Sequence, residues 1–138
     1  MKFTSTIISL VALFSVASAD VVRYNVFYDN PSTSLNNVAC SNGPNGLVTK
    51  GFPTFGSLPS FPAIGGVSAV KGWNSPECGS CWQLTYGSNS IYVTAVDTIS
   101  DGFDISLAAM NVLSTYGQAQ QLDSVNVQAQ EVAASYCY

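Results

Sequence analysis

Two aspartates stand where a folded chain would present them to a ligand. Asp97 closes the apolar segment Ile91-Tyr92-Val93-Thr94-Ala95-Val96, and Asp104 lies just before an apolar-striped helical segment. Two carboxyls can share acid and base work in glycoside hydrolysis, one protonated and one ionised, at a separation of roughly 6.5–9.5 Å for the inverting case. They can equally accept hydrogen bonds from sugar hydroxyls and go no further. Composition closes off most other chemistry. The chain has no histidine, so neither a Ser-His-Asp nor a Cys-His relay can be assembled, and the commonest zinc ligand is missing. The four cysteines are Cys40, Cys78, Cys81 and Cys137. Cys78-Gly79-Ser80-Cys81 has the spacing of a redox or zinc motif, but no second close pair accompanies it. An even cysteine count behind a secretory leader reads instead as two structural disulfides, with three pairings open. No metal and no cofactor is expected.

A carboxylate buried and unpaired at the end of that apolar strand would cost several kcal/mol or shift its pKa. Asp97 should therefore face a groove or hydrogen-bond donors; the plain alternative is a turn aspartate serving Asp97-Thr98-Ile99-Ser100. Asp104 and Ser106 both stand at the start of the helical segment, and either side chain could cap it. Tyr28 and Asp29 near the first strand, with Asn74, Gly79 and Ser80 in the cysteine loop, complete a candidate ligand set. Together they offer the ring, carboxylate, amide, hydroxyl and backbone groups that recognise a sugar polymer. Most aromatics are needed for the core, Trp82 beside Cys81 among them. Phe52, Phe55 and Phe61 lie in a proline-rich stretch and are expected to form an exposed apolar patch.

The elements that must position these residues can be outlined from the same sequence. Residues 1–19 carry one lysine, an apolar run from Ile7 to Val16 and Ala17-Ser18-Ala19, which together read as a secretory signal peptide cleaved before Asp20. The run is about half the length that spans a bilayer. Residues 20–138 then form one domain. Asn30 to Phe61 is dense in turn formers and should be ordered loop. Strands are predicted over Val67 to Val70, Trp82 to Tyr86, Ile91 to Val96 and Val125 to Val132, with Gly87-Ser88-Asn89 as a hairpin turn. A helix is predicted from Ser106 to Thr115, with Leu107, Met110 and Leu113 on one face and Gly117 as its stop. Short strands with one helix suggest a small β-barrel. Only Arg23, Lys50 and Lys71 are basic beyond the N-terminal segment, too few for a phosphate footprint, so nucleic acid is excluded as a partner. With 9% charged residues in all, neutral partners fit best.

The segments VRYNVFYDNPS, VACSNGPNGL, FPAIGGVSAVKGWNSPECGSCWQLTY, SIYVTAVD and GFDISLAAMNVL closely resemble the cerato-platanin family of small secreted fungal proteins. The resemblance covers residues 20–138. It implies a mainly β fold with short helices, a six-stranded double-psi β-barrel stapled by Cys40–Cys78 and Cys81–Cys137. The family is related in fold to the first domain of expansins and to allied endoglucanases. Its members bind chitin oligomers, loosen polysaccharide, self-assemble at interfaces and elicit plant defences. The resemblance thus implies a polysaccharide or chitin oligosaccharide as partner, a plant host receptor, interfacial self-assembly and an extracellular or cell-wall location. Through it, Asp97 matches the groove aspartate of expansins, and Asp104, within GFDIS, matches the catalytic acid of the endoglucanases. The histidine and further acidic residues around that acid are missing here, which favours binding without turnover.

Overall fold

The computed structural model describes residues 17–114 and 119–138. The predicted leader up to Val16, Thr115 at the predicted helix end and its stop at Gly117 lie outside the described residues.

Alternating apolar residues build the strands. In β6 (Ser124–Val132), Val125, Val127 and Ala129 are buried while Ser124, Asn126 and Gln128 are exposed, the period-two pattern of a strand with one inward face. Strands β1 (Ser18–Tyr24), β2 (Ile64–Val67), β3 (Cys81–Tyr86), β4 (Asn89–Thr98), β5 (Phe103–Ile105) and β6 close in the order β1-β5-β2-β4-β3-β6. The β1–β5 and β2–β4 contacts are parallel and the other four antiparallel. Inside, Val22 stands opposite both Val125 and Phe103, and the Trp82 ring meets Phe103 edge-on at 5.5 Å. β3 and β4 join through Gly87-Ser88, where Gly87 takes φ 58°, a glycine-first tight turn.

The predicted strand at Val67 to Val70 lies earlier, at Ile64–Val67; Val67 ends it, and Val70 N–H folds back on the Val67 carbonyl. Glycines carry little strand propensity, which hides β2 from a sequence reading. The backbone approach needs them nonetheless. A Cβ on Gly65 would stand 2.2 Å from the Asp104 carbonyl oxygen of β5.

Helix α1 (Leu107–Leu113) buries Ala109, Met110 and Leu113 and packs on β4, β1 and β3; a short α2 (Ala119–Leu122) follows. The proline-rich stretch is loop with short 3₁₀ turns, as expected, but its apolar residues face the barrel. Leu35, Val38, Leu47, Phe55 and Leu58 form a second buried layer. Phe55 is fully buried against Phe27 and Tyr28, and Phe52 and Phe61 pack half-buried on the same core. The exposed patch expected of these three phenylalanines is therefore not formed: the loop wraps around the barrel and turns its rings inward. Disulfides Cys40–Cys78 and Cys81–Cys137 hold this arrangement, across separations of 38 and 56 residues. Loops of that size lose about 4 kcal/mol of unfolded-chain entropy each when closed.

Behind the cysteine loop two carboxyls meet. Glu131 of β6 is hydrogen-bonded to Glu77, and that bond, burial and the charge of Glu77 hold its carboxyl up at about 7 against an ordinary 4.5. Lys50 donates to the Cys78 carbonyl at 3.2 Å. The folded state therefore keeps a proton that the unfolded chain has released. This contribution to stability is full below pH 4.5 and is lost as pH rises through about 7. Melting temperatures measured from pH 5 to 8 should fall with rising pH, and Glu131→Gln should flatten that slope. Equal slopes in both proteins would show that the pair is not its source.

Candidate functional site

Strand register sets four residues in a row on the outer face. Arg23 of β1 lies opposite Asp104 of β5, Asp104 opposite Gly66 of β2, and Gly66 opposite Asp97 of β4. Neighbouring strands are about 4.8 Å apart, so the two aspartate Cα atoms stand roughly 10 Å apart with a glycine between them. A bulge makes this register. Gly65 pairs with Ala95, yet Gly66 pairs with Asp97, which leaves Val96 as the extra residue. The bulge turns Asp97 into the row, and the Val96 carbonyl accepts the Cys40 N–H at 3.1 Å.

Tyr28 reaches over Gly66 from a 3₁₀ turn, Val26–Asp29, that Asn25 caps by accepting the Phe27 N–H. A Cβ on Gly66 would stand 3.1 Å from the Tyr28 hydroxyl and 2.4 Å from Ile99 Cγ2. The hydroxyl donates to Asp97 Oδ2 at 3.2 Å. Burial first, then the Asp97 charge and hydrogen bond and the more distant Asp104, push the phenol pKa up, so Tyr28 remains a donor. Asp97 Oδ1 accepts the N–H groups of Ala39 at 3.0 Å and Thr98 at 2.9 Å. Asp97 is thus both the turn aspartate and the edge of the row.

Asp104 is less occupied. Asn25 Nδ2 lies 3.5 Å from its Oδ2, a long contact. Burial pushes its pKa up, the Asn25 bond and Arg23 pull it down, and Asp97 adds a smaller upward push. It does not cap α1. Ser106 accepts the Ala109 N–H at 3.1 Å, while Asp29 accepts Leu107 N–H at 2.8 Å and Ala108 N–H at 2.9 Å. Asp29, expected in the ligand set, spends both oxygens on that helix.

The cysteine-loop candidates hold the loop. Asn74, at φ 60°, accepts the Asn45 N–H at 2.9 Å and receives Asn45 Nδ2 on its carbonyl at 3.0 Å. Gly79, at φ 80°, donates to Ala95 and accepts from the Tyr138 hydroxyl. Ser80 donates to the Glu77 carbonyl at 2.6 Å and accepts from Trp82 Nε1 at 2.8 Å. Among the described residues no hydrogen bond joins these three to the aspartate row. The structure therefore gathers Tyr28, Asp97 and Asp104, and adds Arg23, Asn25 and Gly66, which the sequence reading missed. The outward position of Arg23 follows from strand alternation; its partner across a parallel ladder does not.

Residues 20–138 match the model of the cerato-platanin family. The chain belongs to that family. It is 48% identical to Allergen Asp f 15 of Aspergillus fumigatus over 99% of this chain and 97% of that protein. Cerato-platanin 1 of M. perniciosa, a crystal structure, superposes with a TM-score of 0.82 at 48% identity, covering 86% of this chain and 99% of its own. The solution structure of the fungal elicitor Cerato-Platanin gives 0.75 at 37% identity, over 85% and 95%. These relatives are named as allergen, family member and elicitor, none for a catalytic activity.

Within this cerato-platanin fold the row can hydrogen-bond a ligand from both sides of Gly66, and among the described residues no cluster of three metal-ligating side chains exists. No helix among them is long and apolar enough to cross a membrane. Asp97→Ala would strip acceptors from the buried Tyr28 hydroxyl and the Ala39 N–H, at about 1–3 kcal/mol for each group left unsatisfied. Urea unfolding should show a loss of about 2–6 kcal/mol on that basis, against less than about 1 for Asp104→Asn. A fully stable Asp97→Ala protein would remove Asp97 from its anchoring role.

Proposed function

We propose that this chain is a secreted, non-catalytic carbohydrate-binding protein that takes chitin or other N-acetylglucosamine oligomers, and cellulose, across Gly66. The observation that carries this reading is the row itself, in which Arg23, Asp104 and Asp97 flank Gly66 on neighbouring strands with Tyr28 and Asn25 bonded to the two aspartates. It offers acceptors and donors at the spacing of two strands, on a protein with few charges, and so suits a neutral polymer bearing hydroxyl and amide groups. Competition for those hydroxyls would weaken hydrogen bonding between polymer chains, the basis of an expansin-like loosening. Hydrolysis is disfavoured because Asp97, the partner that would have to activate water, already accepts from Tyr28, Ala39 and Thr98. The leader-like N-terminus supports secretion. The similarity to a fungal elicitor supports perception by a plant host.

Titration of soluble N-acetylglucosamine oligomers, followed by calorimetry, tests the site. Asp104→Asn should weaken binding about tenfold, the equivalent of about 1.4 kcal/mol, without altering the fold; unchanged affinity would move the site elsewhere. Incubation with amorphous cellulose should release no new reducing ends. Their appearance, and loss with Asp104→Asn, would instead favour a weak endoglucanase with Asp104 as its acid.

A further inference from the structure

The exposed indole of Trp73 is the least expected apolar surface of the molecule. Trp73 is 62% exposed, whereas Trp82 packs on the barrel core. An exposed tryptophan ordinarily samples several rotamers and gives its N–H to water. Here Nε1 donates to Asn42 Oδ1 at 2.6 Å. The ring edge also rests on Gly43, where a Cβ would stand 2.9 Å from both Trp73 Cζ2 and Asn74 Oδ1. The two loops that hold it are tied by the Cys40–Cys78 disulfide and by the paired Asn45–Asn74 hydrogen bonds. The side-chain entropy that a ligand would have to remove is already lost in the free protein, and such preorganisation favours binding.

The surroundings select the ligand. Asn42 and Asn74 border one ring, which is too small an apolar surface for a stable protein interface. A single rigid aromatic face bordered by amides matches a pyranose ring, whose C–H face is apolar and whose edge carries hydroxyl and N-acetyl groups. Position relates it to the aspartate row. Ala39 N–H bonds Asp97, and three residues further along the same segment Asn42 bonds Trp73. Three residues of chain span at most about 11 Å, so an oligomer several sugars long is long enough to reach from the row to Trp73.

We propose that Trp73, with its asparagine rim, is a second subsite that stacks a pyranose unit of the polymer whose other end lies on the Asp104–Gly66–Asp97 row. The subsite rests on the carbohydrate-binding reading and adds a dependence on ligand length. N-acetylglucosamine dimer and hexamer are the probes. The hexamer should bind more tightly than the dimer to the unaltered protein and should change Trp73 fluorescence. Trp73→Ala should weaken the hexamer about tenfold and leave the dimer unchanged, and Trp73→Phe should restore most of the loss. Asp104→Asn should weaken both. Undiminished hexamer binding by Trp73→Ala overturns the subsite and leaves the row intact; absence of any oligomer binding to the unaltered protein overturns both. Because Trp73 is exposed, its variants should keep native circular dichroism, and that measurement separates lost binding from lost fold.

Discussion

The contact on which the rest of the structure depends is the approach of β2 to its neighbours at Gly65 and Gly66. β2 runs parallel to β4 and antiparallel to β5, and a side chain at Gly65 would overlap the β5 backbone at Asp104. Without that approach β5 could not bridge β1 and β2, and the barrel would open. The second glycine leaves its space to the Tyr28 hydroxyl. Closure of the barrel and the seat of the Tyr28 hydroxyl beside Asp97 thus arise from one pair of residues.

Around that contact the outer layer is tied to the inner one through Asp97. Its three donors come from Tyr28, from Ala39 next to a disulfide cysteine and from its own turn at Thr98. Tyr28 in turn packs on Phe55, 5.9 Å away between ring centroids. A carboxylate that accepts several hydrogen bonds is held in one orientation and ties together the groups that donate to it. The proline-rich loop needs such an anchor because it has almost no backbone ladder of its own, a single bridge between Ser34 and Thr54 apart.

Local signals made much of this legible in the sequence, and long-range ones hid the remainder. β3, β4, β6 and α1 follow from alternation, a hairpin glycine and an apolar stripe, and they appear within a few residues of their predicted bounds. Asp97 stood out because an apolar strand that ends in a carboxylate must give it donors. Asp29 did not reveal its task, because the helix it caps begins 78 residues later and no local pattern marks such a cap. The three phenylalanines misled for the opposite reason: a loop rich in proline looks solvent-exposed until the barrel face it covers is known. The disulfide pairing was implied by family resemblance, since cysteine spacing alone leaves three arrangements open.

The two aspartates differ in what a ligand would do to them. At roughly 10 Å their mutual repulsion is only about 0.4–1.7 kcal/mol for an effective dielectric between 80 and 20, which agrees with Asp97 being the smallest influence on Asp104. Burial is the largest. A sugar that covers Asp104 would deepen its burial, and an unpaired carboxylate there would become more costly. A hydroxyl or amide that donates to Asp104 offsets this cost, whereas an apolar or anionic ligand does not. Asp97 meets the same covering with its donors already in place. On the proposed carbohydrate-binding reading, selectivity for neutral donors on this face would come from Asp104, and Asp97 would keep the surface beneath the ligand in position.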